Sequence, residues 1–191
     1  MVMSTFFFIL FLLVLLSLLI ALLIFASLKI TSLVLFTGAP YIEIPKEILS
    51  HIVQALELHD DSHAFDLGCG DGRVLLACHD QKPRATYVGI DNALLPVLTS
   101  KWKIGRIKPA PNIKVIRENF FNSNLSEATH VFIYLFPALI NKLLPKLERE
   151  LRPGTRLVSC DYQFTNKKPI EIIDLKRGKG QLGKFLYIYE F

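Results

Sequence analysis

Residues 6–28 form an unbroken run of Phe, Leu, Ile, Val and Ala, interrupted only by Ser17 and Ser27. No Asp, Glu, Lys, Arg or His occurs before Lys29. As an α-helix rising about 1.5 Å per residue, the run measures roughly 34 Å, enough to cross a hydrocarbon core of about 30 Å. A helix satisfies its backbone groups internally, so it needs no further partner in lipid. A cleaved signal peptide would carry a basic n-region and an apolar stretch of only about 7–15 residues. This N-terminus has no Lys or Arg and a longer run, which favours an anchor over a signal peptide or a buried core helix. The expected organisation is a transmembrane anchor over 1–29, a connector over 30–44 and one compact domain over 45–191. Lys29 and Lys46 are the cations nearest the run, so the positive-inside rule puts a single-pass membrane protein's domain on the cytoplasmic side.

All of the formal net charge of +5 lies beyond residue 28, and apolar residues make up 51% of the chain. That distribution argues against a wholly soluble protein, a disordered chain and a disulfide scaffold. Cys69, Cys78 and Cys160 are odd in number and lack metal-ligand spacing, which suits a reducing compartment and three small buried side chains. No metal site is expected.

Pro45 opens a predicted helix over 45–58, where Ile48, Leu49, Ile52, Val53 and Leu56 form an apolar stripe. His59-Asp60-Asp61-Ser62 reads as a turn. Strands are predicted at 64–67, 86–90, 113–116, 131–135 and 156–160. Helices are predicted at 72–79, at 92–107 with Asn92 as its cap, and at 137–151. A terminal antiparallel pair is expected from 170–173 and 185–189. Strands alternating with helices imply an α/β fold: a Rossmann-like, mostly parallel sheet with helices on both faces. The closing hairpin separates it from a plain dinucleotide fold.

The segment Phe65-Asp66-Leu67-Gly68-Cys69-Gly70-Asp71-Gly72-Arg73 carries the chemistry. A strand running into Gly-x-Gly-x-Gly and then a helix lets the backbone approach a ligand closely and turns free N–H groups toward it. A pyrophosphate set against unpaired carboxylates at Asp66 and Asp71 would be repelled in a partly desolvated site. S-adenosylmethionine has no phosphate and carries an ammonium, a carboxylate and a sulfonium, so it suits acidic surroundings. No Lys-Ser/Thr pair follows the glycines, which counts against a P-loop. Asp91 ends the second strand, where a carboxylate would accept from both ribose hydroxyls of an adenosine.

On these motifs the chain resembles the class I (seven-stranded) S-adenosylmethionine-dependent methyltransferases over about residues 38–191. It is similar to small bacterial and archaeal members with a Gly-Ala-Pro-Tyr start, here Gly38-Ala39-Pro40-Tyr41, and a late Lys-Pro-Gly-Thr-Arg segment. It is also similar to the membrane-anchored mitochondrial lysine methyltransferases of the adenine nucleotide translocase and the ATP synthase c subunit. The resemblance implies a cofactor site of Asp66, Gly68, Cys69, Gly70, Asp71, Asp91 and Asn92. It sets Asn119, followed by Phe120, beside the adenine amino group, where many relatives have Asp. Glu43 stands where those relatives have proline.

The fourth strand runs on as Tyr134-Leu135-Phe136-Pro137, without the Asp/Asn-Pro-Pro-Tyr of many methyltransferases acting on bases and glutamine. That absence argues against nucleic acid. Tyr134 offers aromatic surface and a hydroxyl to an amine, and Asp161, at the end of the fifth strand, is a candidate for holding a cationic acceptor or taking its proton. Both also fit ordinary packing and solvation. The five histidines read as surface or loop residues. Arg106, Lys108, Lys114, Lys176, Arg177, Lys179 and Lys184 read first as solvated faces and second as contacts to anionic lipid. The function expected is methylation of an amine, foremost a protein lysine, by a bilayer-anchored enzyme. The alternatives are methylation of a lipid, quinone or other small molecule, or a non-catalytic cofactor-binding membrane protein.

Overall fold

A computed structural model describes residues 2–35, 42–109 and 111–191 of the chain, with side chains described from residue 7 to 29 and throughout the two later stretches. Helix α1 spans Val2–Leu35, and its stretch Phe7–Lys29 is long and apolar enough to cross a membrane. The helix thus runs past Lys29 into the segment read as connector. The Gly38-Ala39-Pro40-Tyr41 motif lies outside the described residues. Contacts divide the chain into two units, Met1–Pro40 and Tyr41–Phe191.

The second unit begins with a 3-10 turn, Lys46–Ile48, that leads into α2, Leu49–Leu56. Glu57, in the left-handed region, ends α2 one residue before the predicted stop. There follow β1 (His63–Leu67), α3 (Arg73–Gln81), β2 (Thr86–Asp91), α4 (Leu94–Gly105), β3 (Ile113–Arg117), β4 (His130–Ile133), α5 (Pro137–Glu150), β5 (Arg156–Cys160), β6 (Glu171–Asp174) and β7 (Phe185–Glu190). One seven-stranded sheet results, in the order β3-β2-β1-β4-β5-β7-β6. Strands β1 to β5 run parallel to one another, while β7 runs antiparallel to both β5 and β6. The sheet bears out the Rossmann-like reading with its closing hairpin. The order reverses at β1, and ligands of open α/β sheets lie in the crevice beyond the strand ends at such a point.

Alternation along the strands divides the core. Ala64, Tyr87, Phe132, Val158, Cys160, Leu186 and Ile188 face α2, α3 and the buried stripe of α4. Phe65, Leu67, Ile90, Val131, Ile133, Leu157 and Tyr189 face α5 and the loop after β3. This period of two is what a sheet buried on both faces requires. The second layer is pinned by Lys146, only 7% exposed, whose ammonium donates to the Ser123 carbonyl at 2.5 Å and to Glu150 at 2.6 Å. A buried ammonium is tolerated only when paired in this way.

Three local expectations need correcting. Strand β4 stops at Ile133, because its neighbours pair only as far as Leu67 and Ser159, so Tyr134 lies beyond the strand end. Asn92 does not cap α4: the N-cap position is Ala93, and its N–H is taken by Asp91 Oδ1 at 2.8 Å. His130 is not a surface residue. It is 9% exposed at the start of β4, Thr129 Oγ1 lies 2.8 Å from its Nδ1, and burial, followed by His59 and Arg156, holds its pKa down to about 4. The three cysteines are free and buried, as read from the sequence.

Gly89, inside β2, is where α3 and the loop that precedes it pack tightly on the sheet. A Cβ there would lie 2.5 Å from Leu75 Cδ1 and 2.8 Å from Cys69 Sγ. Overpacking of this kind costs about 1–3 kcal/mol, so Gly89→Ala should lower the melting temperature by several degrees. Gly105 ends α4, and a methyl group added to it would meet nothing within 4 Å, so Gly105→Ala should leave stability equal or slightly raised. Thermal unfolding of the two variants side by side checks the contrast.

Candidate functional site

The loop from Asp66 to Arg73 joins β1 to α3 at the carboxyl edge of the sheet. Gly68, Gly70 and Gly72 all have positive φ, at 85°, 53° and 76°. At Gly72 a side chain is also excluded by space, because its Cβ would overlap the hydroxyl of Ser100, a fully buried residue of α4. The loop N–H groups were expected to be free for a ligand, but four of them have partners within the chain. Those of Gly68 and Cys69 donate to the Ile90 carbonyl at 2.8 and 3.1 Å, and that of Gly72 donates to the Cys69 carbonyl at 2.9 Å. The Gly70 N–H donates to Asp91 Oδ2 at 2.9 Å. The glycines therefore shape the loop and bring it close to β2, and the donors lock that shape.

Asp91 is the joint between loop and sheet. Its two carboxylate oxygens hold the Gly70 and Ala93 N–H groups, and its carbonyl accepts from the Glu118 N–H at 3.0 Å. Each carboxylate oxygen keeps a lone pair beyond these bonds, so a fixed bidentate acceptor remains at the strand tip. Asn92 beside it is exposed, and its carbonyl accepts from Arg117 Nε at 3.3 Å.

Asp66 and Asp71 differ sharply. Asp66 is 4% exposed, and burial first, then the charges of Asp91 and Asp71, push its carboxyl well above the usual carboxylate range. Asp71 is not the unpaired acid expected from the sequence. Arg73 grips it with Nε and Nη2, both at 2.8 Å, and Lys103 of α4 reaches it at 2.5 Å. Burial alone would raise its pKa, yet these bonds outweigh burial and hold the group far below the ordinary value. Asp71 is a neutralised structural bridge and Asp66 is pushed toward its neutral acid form, so the repulsion of a pyrophosphate falls to Asp91. The same Arg73 donates to the Ile44 carbonyl at 2.7 Å and pairs with Glu43 at 3.0 Å. Through this pair Glu43 draws the segment before Lys46 onto the glycine loop. Neither Arg73 nor Lys103 was singled out by sequence reasoning.

Cys69 lies beneath the loop, 6% exposed, with burial and then Asp66 pushing its thiol up, so it contributes backbone and packing rather than a thiolate. Asn119 and Phe120 follow β3. The Asn119 side-chain oxygen accepts from the Phe121 N–H at 3.1 Å, and Phe120 packs on Phe121 with ring centroids 4.8 Å apart.

Tyr134 and Asp161 are brought together. Burial first, and the Asp161 carboxylate second, raise the Tyr134 phenol above the ordinary tyrosine range, so it stays protonated. Asp161 has a φ of 62° and turns its carboxylate onto the segment entering β7, accepting from Gly183, Lys184 and Phe185 N–H at 2.7, 2.6 and 3.3 Å. Phe136 and Tyr162 extend the aromatic surface there, with ring centroids 6.3 Å apart. Among the described residues, no three His, Cys, Asp or Glu side chains gather as a metal site.

A family model described as the ANTKMT methyltransferase domain matches residues 66–171, more than half of the chain. The chain belongs to that family. This methyltransferase is 31% identical over 152 residues to a protein-lysine N-methyltransferase of Saccharolobus islandicus (strain REY15A), covering 78% of this chain and 92% of that protein. It is 31% identical over 129 residues to a lysine N-methyltransferase of the ATP synthase C-subunit from Caenorhabditis elegans, covering 64% of this chain and 66% of that one. Among solved structures it matches an RNA methyltransferase from Salinibacter ruber in complex with S-adenosyl-L-homocysteine, with a TM-score of 0.71 and 27% identity. That match covers 78% of this chain and 93% of the other. The methyltransferase is thus of class I, with S-adenosylmethionine as its cofactor. Its tight glycine loop and the two free acceptor sites of Asp91 fit an uncharged ribose.

Proposed function

We propose that this enzyme is held in a membrane by α1 and methylates the side-chain amine of a lysine in a neighbouring membrane protein, on the cytoplasmic side. The observation that carries the acceptor is the match along 92% of a protein of similar size named as a protein-lysine N-methyltransferase. Residues 1–29 serve as anchor, 30–44 as connector and 45–191 as catalytic domain, with Glu43 and Ile44 drawn onto the domain by Arg73. The bilayer is supported by the length and uniform apolarity of Phe7–Lys29.

When bound, the cofactor supplies a methyl group on a sulfonium, which leaves as a neutral thioether. The chain's own residues bind and align. Asp91 holds the ribose hydroxyls, Asp66 faces the ammonium, and the Asn119-Phe120 segment borders the adenine. Cys69, Gly68 and Gly70 keep the floor of the crevice low, while Asp71 secures the loop through Arg73 and Lys103. Asn92 flanks the ribose side.

Proximity and orientation supply most of the acceleration in such a displacement. The lysine must arrive unprotonated, and poorly hydrated aromatic surroundings disfavour its ammonium. Tyr134 and Phe136 provide that surface, and the Tyr134 hydroxyl oxygen accepts an N–H of the amine. Asp161 attracts the cation on approach and fixes the Tyr134 side of the pocket.

Incubating native membranes with the full chain and methyl-labelled cofactor should label a protein band whose methyl maps to lysine by mass spectrometry. Tyr134→Phe should lower kcat about tenfold or more with cofactor affinity unchanged. Label recovered wholly in organic solvent, or in RNA, would replace the lysine with a different acceptor.

A further inference from the structure

Helix α4 has two apolar faces. Val97, Ser100 and Ile104 are buried against the sheet side. On the other side Leu94, Leu95, Leu98 and Trp102 are 43%, 70%, 53% and 61% exposed. At about 100° per residue these four fall within roughly a 100° arc, so they form one continuous stripe. Lys101 and Arg106 lie along its two margins and are exposed, and the Arg106 guanidinium sits 4.7 Å from the Trp102 ring centroid. Lys108 follows, also exposed. From Asn92 to Arg117 there are six Lys and Arg residues and no Asp or Glu. Only Lys103 among them is taken up by the cofactor loop.

A stripe of large apolar groups is costly to leave in water, and its rim says what covers it. A second copy seated face to face would bring two cationic rims together, with no acid in this stretch to compensate. A bilayer supplies both halves of the match. Leucines reach the acyl boundary, an indole favours the interfacial level, and Lys and Arg meet phosphates while their stems cover apolar surface.

We propose that this face of α4 is a docking surface for an anionic phospholipid interface. Leu94, Leu95, Leu98 and Trp102 enter the headgroup region, and Lys101, Arg106 and Lys108 pair with lipid phosphates. The proposal rests on the membrane reading above and adds to it. Helix α4 starts three residues after Asp91, so docking holds the mouth of the cofactor crevice at headgroup level. The acceptors within reach are then lysines at the membrane surface rather than on long cytoplasmic domains.

Trp102 is the sole tryptophan, so indole emission excited beyond the tyrosine band reads this face alone. The full chain is reconstituted into phosphatidylcholine vesicles with and without phosphatidylglycerol, using lipids brominated near the headgroup end of the acyl chain. The expected result is blue-shifted emission and several-fold quenching, stronger with phosphatidylglycerol and reduced by salt. Quenching should be lost in Lys101→Glu/Arg106→Glu. A chain that floats with vesicles while its indole stays water-exposed and unquenched overturns the docking surface and leaves the anchor standing. Blue-shifted emission without bromine quenching assigns the stripe to a protein contact and also overturns it. A chain that floats with neither vesicle overturns both readings.

Discussion

Replacing Asp91 with Ala should weaken S-adenosylhomocysteine binding by about two orders of magnitude or more. Two charge-assisted hydrogen bonds to the ribose are lost, each worth about 1.5–3 kcal/mol, and every 1.4 kcal/mol or so is a factor of ten. The carboxylate also holds the Gly70 and Ala93 N–H groups, so the free enzyme should melt several degrees lower. Asp91→Asn should fall between wild type and Ala, since one acceptor oxygen remains while the amide NH2 opposes one of the two N–H donors. Titration calorimetry and thermal unfolding separate the two effects. Full affinity in the Ala variant would remove the ribose from this strand end.

Asp66→Asn should have opposite effects on binding and on stability. The folded state raises this carboxyl's pKa, so between the unfolded value of 3.8 and the folded value the native protein binds the extra proton. Stability attributable to the group is therefore present at low pH and lost as pH rises through that window, so it opposes folding at neutral pH. Asn removes the buried charge, and the free enzyme should melt higher at pH 7 with a flatter dependence above pH 4. Cofactor binding should fall about tenfold to a hundredfold, because the ammonium loses its counter-charge. Differential scanning calorimetry across pH, with and without S-adenosylhomocysteine, reads both. A variant that melts lower and binds as well as wild type would make Asp66 a structural residue only.

Most of the fold was legible because each strand carries its own signal. The short apolar runs of β1, β4, β5 and β7, and the turn residues between them, are local, and the closing hairpin followed from two short β-branched and aromatic runs. What failed depended on tertiary partners. The end of β4 is set by where Leu67 and Ser159 stop pairing, which no window around Tyr134 contains. The cap of α4 moved because Asp91, already fixed by Gly70, reaches the Ala93 N–H before Asn92 can act. Asp71 looked unpaired because its second partner, Lys103, is 32 residues away. In the candidate site, the tight glycine loop and the place of Asp91 at the tip of β2 were readable from residue type and spacing alone, whereas Arg73 looked like any helix-start cation. The exposed face of α4 was missed because its apolar residues satisfy a core-stripe pattern. The absence of any acid between Asn92 and Arg117 was the available clue.

The guanidinium of Arg73 has a consequence for how the enzyme can be cut down. One side of it clasps the glycine loop through Asp71, and the other clasps Glu43 and the Ile44 carbonyl. A fragment trimmed to Lys46 would keep every strand of the sheet yet leave that clasp closed at one end only. The glycine loop is in this sense fastened from upstream, and tension along the polypeptide leading toward Glu43 is felt first at Asp71.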